Sequence, residues 1–157
     1  MSVSNLLDQF ILKHIQISRL NVELLKVSSE PSNQEAKVEL NLTPRLMQAD
    51  SGDALPAYQV TATLRCRGGS EAQDDPAFTS TVSFEAVYQQ IKGEPMDVSE
   101  FTSNHASLTR QLYPLLQNEL RTLLGRLGLQ QIQLPFDITA KTANNPKQKV
   151  RVSESLH

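Results

Sequence analysis

At 157 residues and a formal charge of -2, the chain is sized for one domain and can bury a core without a metal or disulfide staple. Its 15 basic and 17 acidic residues give no general argument for nucleic acid. A lone cysteine, Cys66, excludes an intramolecular disulfide and suits a reducing compartment.

The N-terminus lacks a basic start, a long apolar run and a small-residue cleavage site, and no later window has the length of a membrane span. These features predict a cytoplasmic protein with no membrane insertion. A short amphipathic turn over residues 5–12 comes first. Ile15, Ile17, Leu20, Val22 and Leu24 then alternate with one slip between Ile17 and Leu20, which predicts a bulge in a long first strand. A polar loop with Pro31 leads to a second strand carrying Val38, Leu40 and Leu42, stopped near Pro44. Asp50, Ser51, Gly52 and Asp53 form a turn cluster. Tyr58, Val60, Ala62, Leu64 and Cys66 mark the third strand, and Val82, Phe84, Ala86 and Tyr88 the fourth. Short connections predict an antiparallel meander whose first connection is bulged or crossing.

Asp97 and Glu100 resemble a capping box, placing a helix start near Ser99. Proline restricts the residue before it, so an interruption or bend is expected ahead of Pro114. Leu112, Leu116, Leu120, Leu123 or Leu124, and Leu127 recur every three to four residues, and Gly125 and Gly128 are candidates to end the helix. Ile132, Leu134 and Phe136 then alternate with Gln133, Pro135 and Asp137, as an extended segment does. The fold class is α+β: a four-stranded antiparallel sheet packed with a long C-terminal helix. The domain spans 1–137, and 138–157 reads as a polar, basic, disordered tail in which Lys141, Lys147, Lys149 and Arg151 face only Glu154.

Catalytic constellations are thin. His14, His105 and His157 have no His or Cys neighbour at ligand spacing. Cys66 on the apolar side of a strand reads as a small buried hydrophobe. Glu71, Asp74 and Asp75 read as a solvated acidic loop, and Gly68-Gly69 is not followed by the helix start a phosphate cradle needs. No cofactor or metal is expected, and binding is favoured over an enzymatic role.

The order of four strands and a helix, with its motifs, resembles the SecB family of export chaperones. The residues that carry this are Ile15-Gln16-Ile17 leading to Asn21-Val22-Glu23, then residues 36–42, Leu112-Tyr113-Pro114, and Arg126 and Gly128 ahead of Ile132-Gln133-Leu134-Pro135. The resemblance covers roughly residues 10–137. It implies a cytosolic dimer or homotetramer with helices between sheets, and an ATP-independent holdase for unfolded or precursor polypeptides. It also implies hand-over to SecA. On this basis Leu24, Leu25, Leu42, Leu46 and Met47 are client-binding candidates, with strand-end packing the plain alternative for Leu46 and Met47. Leu112, Leu116, Leu120 and Leu124 are candidates for the oligomer interface, with an intramolecular core as the alternative. Glu23 is the candidate partner contact. The chain departs from the family at Gln117-Asn118, in the polar residues 139–157, and in the basic surroundings that Arg19, Arg65 and Arg67 give Glu23. A different class of reading is a monomeric helix-grip module in which sheet and helix enclose a small apolar ligand.

Overall fold

The computed structural model describes residues 6–27, 34–47, 55–70, 76–136 and 138–142. The Asp50–Asp53 turn, Pro31, the acidic residues 71–75 and the tail past 142 lie outside them. Strands β1 (Phe10–Leu24), β2 (Gln34–Leu46), β3 (Ala57–Ser70) and β4 (Phe78–Gln90) precede α1 (Val98–Ser103), α2 (His105–Arg126) and a short β5 (Lys141–Thr142). Strict alternation puts Tyr58, Val60, Ala62, Leu64 and Cys66 of β3, and Phe78, Val82, Ala86 and Tyr88 of β4, on one buried face. Leu108, Leu112, Leu116 and Leu120 of α2 complete this core from the other side.

The sheet order is β1-β4-β3-β2-β5. β2, β3 and β4 follow one another as antiparallel neighbours, as expected, but β1 pairs with β4 rather than with β2. The connection after β1 therefore crosses the end of the sheet, the crossing alternative expected for it, and gives a Greek-key arrangement. Two register shifts interrupt the β1–β4 ladder, one between Leu12 and His14 and one between Ile17 and Arg19. The second is the bulge that the slip before Leu20 predicts. Each bulge re-phases the strand, so Leu12, Ile15, Ile17, Leu20, Val22 and Leu24 all lie opposite residues of β4 that face α2.

At the start of α1 the Asp97 carboxylate accepts from the Glu100 N–H at 2.8 Å, as the capping pattern predicts. The helical break falls at Asn104, ahead of Pro114 as expected but well short of the residue that precedes it. The Asn104 Nδ2 donates to the Glu100 carbonyl at 2.8 Å and so holds the last turn of α1. α2 runs through Pro114. The carbonyl that Pro114 cannot serve is that of Arg110, and both residues are exposed, where water replaces the missing donor. Gly128, with φ of 78°, ends α2: its N–H donates to the Gly125 carbonyl at 3.0 Å, and the Leu129 N–H to the Leu124 carbonyl at 2.8 Å. That is a Schellman closure, so Gly128 takes the left-handed position and Gly125 stays helical.

Past the helix, Leu129, Ile132 and Leu134 are buried. The Tyr113 hydroxyl and the Gln117 amide both donate to the Pro135 carbonyl, at 2.6 and 3.1 Å, tying this segment to α2. Phe136 breaks the alternation and is 92% exposed. Residues 138–142, placed in a disordered tail by composition, continue the fold. Ala140 is buried and Lys141–Thr142 pair in parallel with Asn41 and Leu42. The Lys141 ammonium also sits 2.9 Å from Glu39.

Candidate functional site

The position of β1 creates the surface of interest. At its start, Phe10 packs 5.1 Å from the Phe101 ring, which stacks on Tyr58 at 4.2 Å. The Tyr58 hydroxyl donates to the Met96 carbonyl at 2.5 Å, while burial, with Asp97 and Glu100 adding to it, pushes its pKa up to about 12. The buried Gln90 side chain donates to the carbonyls of Lys92 and Glu94 and accepts from the Met96 N–H. This end of the strand is locked into the core.

Beyond Phe10 the helix lies over β4 and β3 and leaves β1 uncovered. Ile17, Leu20 and Leu24 point to the helix side of the sheet yet are 47%, 48% and 42% exposed. With half-buried Leu12, Ile15 and Val22 they form one apolar strip. From Ile15 to Leu24 it runs roughly 30 Å at the rise of an extended strand. β1 has a strand neighbour on only one side among the described residues, so its outer backbone groups are open to pairing. An apolar strip beside an open edge matches the two demands of an extended polypeptide: side-chain burial and backbone hydrogen bonds.

The residues proposed from sequence divide unevenly over this geometry. Leu24 ends the strip and exposed Leu25 follows it. Leu46, exposed, and Met47, half-buried, lie at the diagonally opposite corner, because Leu24 aligns with Phe78 and Leu46 with Tyr58. Leu42 is wholly buried and is removed from the client-binding set. Leu112, Leu116, Leu120 and Leu124 are buried within their own chain, at 2% exposure or less, so they form its core. Glu23 lies on the opposite, polar face of the sheet, in a row with Thr79, Arg67 and Lys37. Alternation marks Ile15, Ile17, Leu20 and Val22 as a strand without saying that they form a surface. The in-phase slip was the available signal.

The polar face is organised around Glu85, which accepts from Ser18, Gln59 and Thr61 at 3.0, 2.8 and 2.6 Å. Thr63 and Ser83 hydroxyls pair at 2.9 Å. Burial pushes the Cys66 thiol up to about 12, which keeps it protonated and a poor nucleophile. No group of three or more His, Cys, Asp and Glu among the described residues is placed to hold a metal.

A solved structure of the same architecture is the Mycobacterium tuberculosis Rv1957 SecB-like chaperone in complex with a ChAD peptide from the Rv1956 HigA1 antitoxin. It matches with a TM-score of 0.66 and 19% identity, over 84% of this chain and 93% of that one. The chain has a SecB-like fold. A protein of unknown function from Streptococcus agalactiae aligns at a TM-score of 0.40 and 14% identity, over 83% of this chain and 98% of that one. No protein-family model matches the chain, and no curated protein sequence does either. No helix among the described residues is long and apolar enough to cross a membrane.

Proposed function

We propose that this SecB-like chain is a holdase that binds extended segments of non-native polypeptides along β1 without nucleotide. One observation carries the reading: three large aliphatic side chains in register on an edge strand are left nearly half exposed on the helix side of the sheet. The antitoxin peptide bound by the Rv1957 chaperone supports a polypeptide as the occupant.

Magnitudes limit what the strip does alone. Completing the burial of Ile17, Leu20 and Leu24 contributes about 1 kcal/mol each. Association costs at least about 4 kcal/mol, so further backbone hydrogen bonds of about 1 kcal/mol each are required. Linking several strips by self-association to a dimer or tetramer raises avidity further. In this proposal assembly uses surface outside the leucine stripe, since the stripe is core, and leaves the β1 edge to the client. Leu24 and Leu25 serve the client, and Leu46 and Met47 form a separate contact at the far corner.

The finer setting we infer is a cytoplasmic chaperone serving either export precursors or one dedicated client such as an antitoxin. Hand-over to SecA through Glu23 is the variant that the charges disfavour, because Arg67 and Lys37 share its row. The test is light scattering coupled to size exclusion, with and without a reduced, unfolded client, beside a nucleotide-free aggregation assay. The proposal expects an assembly of more than one copy, client co-elution and suppressed aggregation. A monomer that leaves client aggregation unchanged at molar excess would refute it.

A further inference from the structure

The face of the sheet turned away from α2 carries two adjoining hollows of 580 and 350 Å³ that share Arg65. Lys37, Arg67 and Glu39 line the larger, and Arg19 and Glu85 the smaller. Register places Arg65 beside Thr81 and Glu39, and Arg67 beside Thr79 and Lys37, so the cations share one trough with Glu39 and Glu85 between them. The two carboxylates are already engaged: Glu39 by Lys141 and Asn41, which hold its pKa below the usual value, and Glu85 by Ser18, Gln59 and Thr61. Arg19, Lys37, Arg65 and Arg67 have no hydrogen bond or ion pair among the described residues. Glu23, at the β1 end of the Arg67 row, is likewise without a partner among them.

We propose that this trough is a docking surface for an acidic polypeptide segment, separate from the apolar strip of β1. The chain as a whole carries -2, so four cations on one face, of which Arg65 also acts on Glu39, oppose its general charge. Such a local excess steers and orients a negatively charged partner. Spacing favours a peptide. Residues two apart on a strand stand about 7 Å apart, so an extended chain with carboxylates at alternate positions meets Arg65 and Arg67 in step. Glu39 and Glu85, interspersed among the cations, would repel the continuous charge of a nucleic acid backbone. Among the described residues the trough also lacks the aromatic platforms on which bases stack. This surface lies on the opposite side of the sheet from the holdase strip and does not depend on that reading.

The experiment is fluorescence anisotropy with a labelled peptide of alternating glutamate and serine. A lysine–serine peptide and a single-stranded oligonucleotide of equal charge serve as comparisons. Saturable binding of the acidic peptide is expected, weakened by raising salt toward about 0.15 M. It should fall at least about tenfold in a combined Lys37→Gln, Arg65→Gln, Arg67→Gln chain, while Lys92→Gln binds as the parent does. Holdase activity should be unchanged in the combined chain. If half-buried Arg65 proves necessary for folding, Lys37→Gln with Arg67→Gln alone carries the test, since both side chains are exposed. Absence of acidic-peptide binding at low salt, undiminished binding in the neutralised chain, or tighter binding of the oligonucleotide would each overturn the proposal.

Discussion

β3 and β1 are both long strands with an apolar side turned toward α2, yet that side is sealed on β3 and open over most of β1. Val60, Ala62 and Leu64 are fully buried, whereas Ile17 and Leu20 remain about half exposed. Hydrophobicity does not separate them, since Ile17 and Leu20 are more apolar than Ala62. Position does: β3 is central and lies beneath the helix, while β1 is attached at the edge beyond β4. Exposed aliphatic surface here follows from sheet order, and it is kept in phase by two bulges that point it consistently to one side.

Substitutions of equal chemistry should split these regions sharply. Leu116→Ala, under the helix, should cost about 2–5 kcal/mol in denaturant unfolding, through lost burial and the cavity left behind. Leu20→Ala, on the strip, should cost less than about 1 kcal/mol. Equal losses would mean that the strip is covered in solution by a tight partner copy. The functional consequence should run the other way. Ile17→Ser with Leu20→Ser and Leu24→Ser should leave a folded protein whose suppression of client aggregation drops several-fold. Retained suppression would move the client site to the Leu46 corner.

Much of β3 and its partners was legible because period-two alternation has one interpretation when both ends are marked by turns. The bulge near Ser18 was legible as a slip, whereas the one near Lys13 sits where Leu12 and Ile15 had not been read as one strand. A crossing first connection was legible as an alternative, but the neighbour it gives β1 was not. Residues 25–33 are enough for a hairpin to β2 and also enough to cross three strand spacings of about 5 Å each. The leucine stripe of α2 shows why periodicity gives burial but not the burying partner: a sheet of the same chain and a second subunit demand the same spacing. Pro114 misplaced the break because its cost depends on whether the freed carbonyl meets water, which no local pattern states. Arg19, Arg65 and Arg67 were visible singly, but their assembly into a trough required the register of three strands.

A smaller effect tests how the covered region is closed at its end. Gly128 has φ of 78° and nothing within 4 Å of where a Cβ would stand. Gly128→Ala should therefore cost only the backbone strain of a left-handed alanine, about 1 kcal/mol, visible as a lower Tm. A larger loss would show that the turn into Leu129 and Ile132 also tightens the core beneath α2.

The smallest effect is expected at the other edge of the sheet, where β5 covers two residues of β2. The hydrogen bond from Lys141 holds the Glu39 carboxyl below its ordinary value of 4.5, with Asn41 assisting. Its ionised form is thus favoured by folding, so the pair's stabilisation is present above pH 4.5 and is lost as pH falls through the depressed folded value. Both partners are exposed, and solvent screening limits the contribution to about 0.5 kcal/mol or less. Lys141→Ala should lower stability by that small amount at neutral pH and leave it unchanged at pH values below the depressed folded value. Denaturant unfolding of parent and variant between pH 3 and 7, compared as a difference, isolates it. A difference that grows toward low pH would contradict the assigned sign. A difference of several kcal/mol at neutral pH would instead make β5 a structural strand of the same standing as β2, and the sheet's two edges would then be unlike in kind: one closed by its own chain, the other left for a guest.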